Sequence, residues 1–277
     1  MEIVNNISEM RQHRSQLTTP IGFVPTMGYL HEGHLSLVRE AHTGNKTVVV
    51  SIFVNPTQFG PGEDYKKYPR DIKRDLVLLE EEKTDIVFMP QDEELYPENF
   101  SSYVDAGEIT TRLEGASRPG HFRGVVTILA KLFNIVQPDS AYFGQKDAQQ
   151  LLVIRKMVAD LNMHLEIIAV PTVRTPDGLA MSSRNTYLTT KQRRAATVLY
   201  RALTFSQYLW DGGENNSETI RQQMISLIKK ESLADIDYVS IADVETLKEI
   251  DEINPPVLVS MAVKFGKTRL IDNIVLK

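Results

Sequence analysis

The chain has 277 residues, 42% of them hydrophobic and 24% charged, which suits one large or two modest globular domains and excludes disorder as the default. The net charge of −5 argues against a generally basic nucleic-acid binder, and the lack of Cys rules out disulfides and thiolate metal sites while fitting a reducing compartment. Met1-Glu2-Ile3-Val4-Asn5-Asn6 lacks the basic and apolar blocks of a signal peptide, and the longest strongly apolar run, Val48 to Val54, is too short to span a membrane, so a cytoplasmic protein without membrane or nucleic-acid partners is expected.

In chain order, Ile21-Gly22-Phe23-Val24 predicts a short strand and His34 to Ala41 a helix. Val48 to Val54, β-branched and apolar on both faces, predicts a buried strand. A helix is expected over Asp71 to Glu82 and a strand over Asp85 to Met89. Gly124 opens a helix whose Val125, Ile128, Leu129, Leu132, Phe133 and Val136 share a face, and Pro138 stops it. Ala141-Tyr142-Phe143 is expected as a strand, Asp147 as a possible cap of the next helix, and Leu165 to Val170 as a further strand. Beyond residue 175 the pattern changes. Thr189 with Gln192 predicts a capping box opening a long helix that Asp211-Gly212-Gly213 ends. Ser217 is expected to cap a helix carrying Ile220, Met224, Leu227 and Ile228, and strands follow at Ile236–Ile241, Val257–Val263 and Leu270–Val275.

The alternation predicts an α/β fold: a Rossmann-like parallel sheet with helices on both faces over residues 1–175, and a smaller α+β domain over residues 176–277. Ligands of such sheets sit beyond the carboxyl ends of the strands, which gathers the loops after Val24, Val54, Phe143 and Val170 on one rim.

Those loops hold the candidate chemistry. His31-Glu32-Gly33-His34 lies where a strand turns into a helix, and helix starts attract phosphate through unpaired N–H groups and the dipole. Two His three apart face the same way, and Gly28 and Gly33 let a ligand approach the backbone. The competing readings are a zinc site, which lacks a third obvious ligand, and two surface histidines. After the central strand comes Asn55-Pro56-Thr57-Gln58-Phe59-Gly60, either a turn built by Asn-Pro or a site where Gln58 meets a carboxylate or hydroxyl. In Gly144-Gln145-Lys146-Asp147, Lys146 offers a mobile cation, and Asp147 a ribose contact, a helix cap or both. Gln150 stands one turn further on. Met181-Ser182-Ser183-Arg184-Asn185 reads as a phosphate clamp on a mobile loop or as a polar linker. Arg118-Pro119-Gly120-His121-Phe122-Arg123-Gly124 either touches substrate or is a structured loop. Glu80-Glu81-Glu82-Lys83 reads as a solvated helix face.

Together with Pro25-Thr26-Met27-Gly28, Tyr68-Pro69-Arg70, Tyr142-Phe143-Gly144 and Gln149-Gln150, these segments resemble the pantoate–β-alanine ligase family of the H-x-G-H nucleotidyltransferase superfamily, over essentially the whole chain. The resemblance implies ATP-dependent condensation of (R)-pantoate with β-alanine through pantoyl-adenylate, a step of pantothenate and coenzyme A biosynthesis, by a homodimer. It implies ATP contacts from Met27, Gly28, Tyr29, Leu30, His31, Glu32, Gly33, His34, Gly144, Gln145, Lys146, Asp147, Val173, Met181, Ser182, Ser183 and Arg184, with Val173 near the adenine. Gln58 and Gln150 would hold pantoate, Gln58 also serving β-alanine, and the smaller domain would form a lid. His34 is the family's catalytic residue; His31, Lys146 and Arg184 are expected to share in charge stabilisation. Met181 to Arg184 stands where relatives carry K-M-S-K-S, with Arg184 in place of a lysine, and Gln145 stands where a charged residue is expected. Mg²⁺ would accompany ATP, with no metal held by the protein alone. The rival readings are another H-x-G-H adenylyltransferase, a tRNA-charging relative and a non-catalytic nucleotide binder on the same fold.

Overall fold

The computed structural model describes residues 1–277, in two compact units. The first comprises residues 1–145 and 149–171; the second comprises residues 146–148 and 172–277. No helix is long and apolar enough to cross a membrane.

The first unit begins with β1 (Glu2–Val4) and α1 (Ile7–Arg14). Then come β2 (Ile21–Thr26), α2 (Glu32–Gly44), β3 (Thr47–Ile52), α3 (Ile72–Glu81), β4 (Ile86–Phe88), α4 (Asp92–Leu95) and α5 (Glu114–Ser117). It closes with α6 (His121–Val136), β5 (Ser140–Gly144), α7 (Ala148–Asp160) and β6 (Glu166–Val170). The six strands form one all-parallel sheet in the order β1-β4-β3-β2-β5-β6, the α/β architecture expected from the alternation. Its central strands are apolar because both faces are covered: Phe23, Val24, Val48, Val49 and Val50 have no exposed surface. The chain turns from one side of the sheet to the other between β2 and β5. Such a switch point opens a crevice at the carboxyl ends of the strands.

Two helix starts differ from the sequence expectation. Helix α2 starts at Glu32 rather than His34, because His31 takes the cap position. Helix α6 starts at His121 rather than Gly124, behind Gly120 in the left-handed region at φ 82°. It is also buried on nearly every side, Val126, Ala130 and Ile135 included, so its single apparent apolar face understates its burial. The short elements β1, α1, α4 and α5 carry too little periodic signal to be read from sequence.

In the second unit, α8 (Thr190–Ala195), α9 (Val198–Asp211) and α10 (Ser217–Ile228) accompany the strands β7 (Ala234–Asp243), β8 (Val257–Phe265) and β9 (Thr268–Leu276), which form an antiparallel sheet in that order. Ala202, Leu203, Ile220, Met224, Val259, Met261 and Phe265 make its core. The Thr189–Gln192 capping box is present. The long helix predicted behind it is instead two. Bonds of the i+3 type, Thr197 N to Arg194 O and Leu199 N to Ala196 O, tighten the chain between α8 and α9. The cap of α10 is Asn216, whose side chain accepts from Thr219 N at 2.8 Å. Ser217, expected in that role, donates to Ile250 O.

Candidate active site

At the carboxyl end of β2 the chain makes a left-handed turn, with Gly28 at φ 78° and Tyr29 at φ 51°. A side chain at Tyr29 tolerates this strained region only if the surroundings hold it there. Asp75 on α3 does so: its two carboxylate oxygens accept the N–H groups of Tyr29 and Leu30, each at 2.7 Å. Asp75 is 1% exposed, and burial drives its pKa up against the pull of those two bonds and of Arg74. Arg74 donates to Leu30 O at 2.9 Å and lies over the Tyr29 ring. Sequence reasoning missed Asp75. The available signal was an acidic residue four positions before Leu79, on the helix face that packs inward.

The turn delivers the two histidines to the start of α2, with ring centroids 4.0 Å apart. Each caps the other's segment. His31 Nδ1 accepts from Gly33 N at 3.1 Å and His34 Nδ1 accepts from His31 N at 3.3 Å. Two backbone donors that the sequence left for phosphate are therefore already taken. With both Nδ1 atoms accepting, the hydrogen-bond pattern assigns the ring protons to Nε2. That arrangement suits an anion without requiring either ring to be cationic.

Beside this loop lies the turn after β3. Asn55, 1% exposed, caps the short 3₁₀ turn Pro56–Gln58 and accepts from Tyr96 OH at 2.8 Å. Its amide donates to Gln58 Oε1 and to Gly124 O, both at 3.1 Å. The half-buried Tyr96 phenol has its pKa pushed up to about 12 by desolvation. Gln58 is 9% exposed, and its Nε2 stands 3.0 Å from Met27 Sδ. The turn packs flush against α6: a Cβ on Gly124 would lie 2.3 Å from Thr57 O and 2.6 Å from Gln58 Cα. Gly124 is required there by the close approach of two backbones.

The basic, glycine-rich segment before α6 supports that turn. Arg118 makes a two-pronged pair with Glu63, both bonds 2.7 Å, and its Nη1 is 3.0 Å from His121 Nε2. His121 Nδ1 is 2.8 Å from Gln58 O. A neutral His121 that donates from Nδ1 and accepts at Nε2 satisfies both contacts. Burial and the adjacent guanidinium push its pKa down to about 4, which keeps it neutral. Burial raises the Glu63 carboxyl, but the Arg118 contacts outweigh it and hold it below its usual value. Arg123 lies over the Tyr103 ring at 4.2 Å. Each of these residues thus has a structural engagement within the unit.

At the end of β5, a Cβ on Gly144 would meet nothing within 4 Å, so the rim is open there. Gln145–Asp147 forms a 3₁₀ turn leading into α7, with Lys146 Nζ 3.4 Å from Asp147 Oδ1. The two glutamines in the first turn of α7 have separate surroundings. Gln149 is buried and bonded to Ile109 O, Arg112 O and Glu114 N, which makes it a structural clamp; Gln150 is half-buried.

In the second unit, Val173 O accepts from Met181 N at 3.0 Å, and Arg174 bridges Ala180, so Thr172–Met181 folds as a tight hairpin. Ser182 caps the 3₁₀ turn Ser183–Tyr187, its hydroxyl accepting from Arg184 N at 3.3 Å. Ser183 is buried at 6% exposure, whereas Ser182 and Arg184 are half-buried. The sequence read this stretch as a loop; it is a capped turn. Glu82, read as part of a solvated face, instead forms an ion pair with Arg39.

The chain matches the family model described as pantoate-beta-alanine ligase over residues 2–275. It belongs to the pantoate–β-alanine ligase family. It is 58% identical over 277 residues to a pantothenate synthetase of Roseiflexus castenholzii, and 54% identical over 279 residues to one of Thermotoga petrophila, in each case with all of both chains covered. Among solved structures, a pantothenate synthetase of Thermus thermophilus superposes with a TM-score of 0.95 at 47% identity, covering 99% of each chain. A pantoate-beta-alanine ligase of Francisella tularensis, complexed with a β,γ ATP and β-alanine, gives 0.82 at 36% identity, covering 99% of this chain and 97% of that one.

Proposed function

We propose that the chain condenses (R)-pantoate with β-alanine, converting ATP to AMP and pyrophosphate and releasing pantothenate. One observation beyond family membership supports this best: the buried amide of Gln58 lies against Met27, so a group suited to a carboxylate or hydroxyl adjoins the H-x-G-H loop.

A pantoate carboxylate oxygen attacks the α-phosphorus, the α–β bridging bond breaks, and pyrophosphate leaves. The β-alanine amine then attacks the acyl carbon, AMP departs with the former carboxylate oxygen, and the amine loses a proton. A carboxylate is already nucleophilic near neutral pH, so the first step needs alignment and charge stabilisation more than a base. His31 and His34 supply Nε2–H donors to the triphosphate, with His34 at the reacting phosphoryl group. Lys146 and Arg184 supply full charges, and Ser182 and Ser183 hydroxyls. The remaining ATP contacts are those of residues 27–33, of Gly144, Gln145 and Asp147, and of Met181, with Val173 beside the adenine. Gln58 and Gln150 hold pantoate. ATP enters as its magnesium complex, since Mg²⁺ is usually carried by phosphates and water. The protein works in the cytoplasm as a homodimer in this reading, both by family resemblance; sedimentation at a monomer's mass would refute the dimer.

An adenylyltransferase acting on a phosphorylated metabolite would want cations around Gln58. The side chain's hydrogen-bond partners are Asn55 and Met27, neither charged, and the one guanidinium at the Gln58 carbonyl, that of Arg118, is already paired with Glu63. The deciding assay is exchange of labelled pyrophosphate into ATP. The reading expects exchange that requires pantoate and not β-alanine; exchange indifferent to pantoate would overturn it.

A further inference from the structure

One dipeptide of the second unit touches one segment assigned to ATP and the hairpin that leads to another, yet has no part in the chemistry proposed above. Asp272 and Asn273 lie on β9, paired with Met261 and Ser260 of β8. Both are buried, at 2% and 5% exposure. Burying an ionised carboxylate and a primary amide on an edge strand is costly unless each is fully partnered. Their partners are specific. Asn273 Nδ2 donates to the backbone carbonyl of Lys146 at 2.8 Å. The Asp272 carboxylate takes both prongs of Arg174, at 2.6 and 2.8 Å, and also accepts from Asn273 N at 2.8 Å. Arg174 in turn donates to Gly178 O and lies 4.6 Å over the Tyr200 ring. It therefore fixes the hairpin whose two sides are Val173 and Met181, immediately before Ser182–Arg184. Neighbouring residues of a strand face opposite ways, which lets one dipeptide serve two segments.

We propose that Asp272 and Asn273 are positioning residues for adenylate formation: Asn273 sets the backbone from which Lys146 reaches the nucleotide, and Asp272, through Arg174, sets the approach to Met181–Arg184. Neither touches substrate. The inference rests on the proposed role of Lys146. That role depends on where the backbone holds a flexible cation, and a misplacement of about 1 Å in a site of this kind costs on the order of 10²-fold in rate.

The test is a double-mutant cycle read by pantoate-dependent pyrophosphate exchange. Asn273→Ala is expected to lower kcat/KM for ATP by about tenfold or more in the wild-type background, yet by less than about twofold when Lys146 is already Ala. A generally structural residue would lower the rate equally in both backgrounds, and that result would overturn the proposal. So would wild-type kinetics in Asn273→Ala while Lys146→Ala is impaired. Wild-type kinetics in Lys146→Ala would instead remove the nucleotide role on which the inference rests, and the inference with it. Asn273→Asp keeps the shape and replaces the donor with an acceptor. It is expected to show the same dependence on Lys146, and it carries the test if the Ala variant does not fold.

Discussion

With a single methyl group, Gly124→Ala perturbs the turn proposed to hold pantoate. The new Cβ would stand 2.3 Å from Thr57 O, where ordinary contact begins at 3.4 Å, so α6 or the turn must move by about 1 Å. The atoms in the way are backbone, and α6 is enclosed on nearly every side, so the turn has to yield. That movement lengthens the Asn55 bond to Gly124 O and shifts Gln58 away from Met27. Overpacking of this kind destabilises by roughly 1–3 kcal/mol, which urea unfolding measures directly. The larger effect is expected in catalysis: kcat/KM for pantoate should fall on the order of 10²-fold, as a displacement of about 1 Å at a positioned group implies. Gln58→Ala should lose pantoate use in the same assay. A folded Gly124→Ala variant whose kcat/KM for pantoate stays within about twofold of wild type would refute the argument that Gly124 holds this turn.

His34→Ala removes the proposed donor to the triphosphate and should lower pantoate-dependent pyrophosphate exchange by roughly 10²–10³ while the variant stays folded; wild-type turnover would remove His34 from the mechanism. Asp75→Asn leaves one of the Tyr29 and Leu30 N–H groups facing an amide donor, so a loss of about 1–3 kcal/mol in urea and a raised KM for ATP are expected together, and an unchanged KM would separate Asp75 from the loop it holds. His121 gives a pH signature. Its pKa is about 4 folded against 6.5 unfolded, so its contribution is fully present above pH 6.5 and is lost as pH falls towards 4, approaching about 3 kcal/mol. Urea titrations at pH 7 and 4.5 should show His121→Asn losing less stability on acidification than wild type; equal losses would contradict a neutral buried imidazole.

The sheet was legible because its strands are continuous apolar runs. Thr47–Ile52 and Glu166–Val170 stand close to where the alternation puts them. The pair of histidines was legible because their spacing places them on one turn of a helix. Their mutual capping was not, since an imidazole accepting a backbone N–H leaves no mark in composition or periodicity. Asp75, Gly124 and the Asp272–Asn273 pair were missed for a related reason. Their partners lie 45, 67, 98 and 127 positions away along the chain, so their roles exist only once the fold brings those segments together. The break between α8 and α9 was hidden because nothing around Ala196 and Thr197 disfavours a helix; a local choice of i+3 bonds makes it.

Pantoyl-adenylate is the centre of this account, and oxygen tracing tests it most directly. Pantoate labelled with ¹⁸O in its carboxylate should pass one labelled oxygen to AMP, because the oxygen that attacks the α-phosphorus leaves with it when β-alanine takes the acyl carbon. AMP free of label, or ADP and phosphate in place of AMP and pyrophosphate, would contradict it.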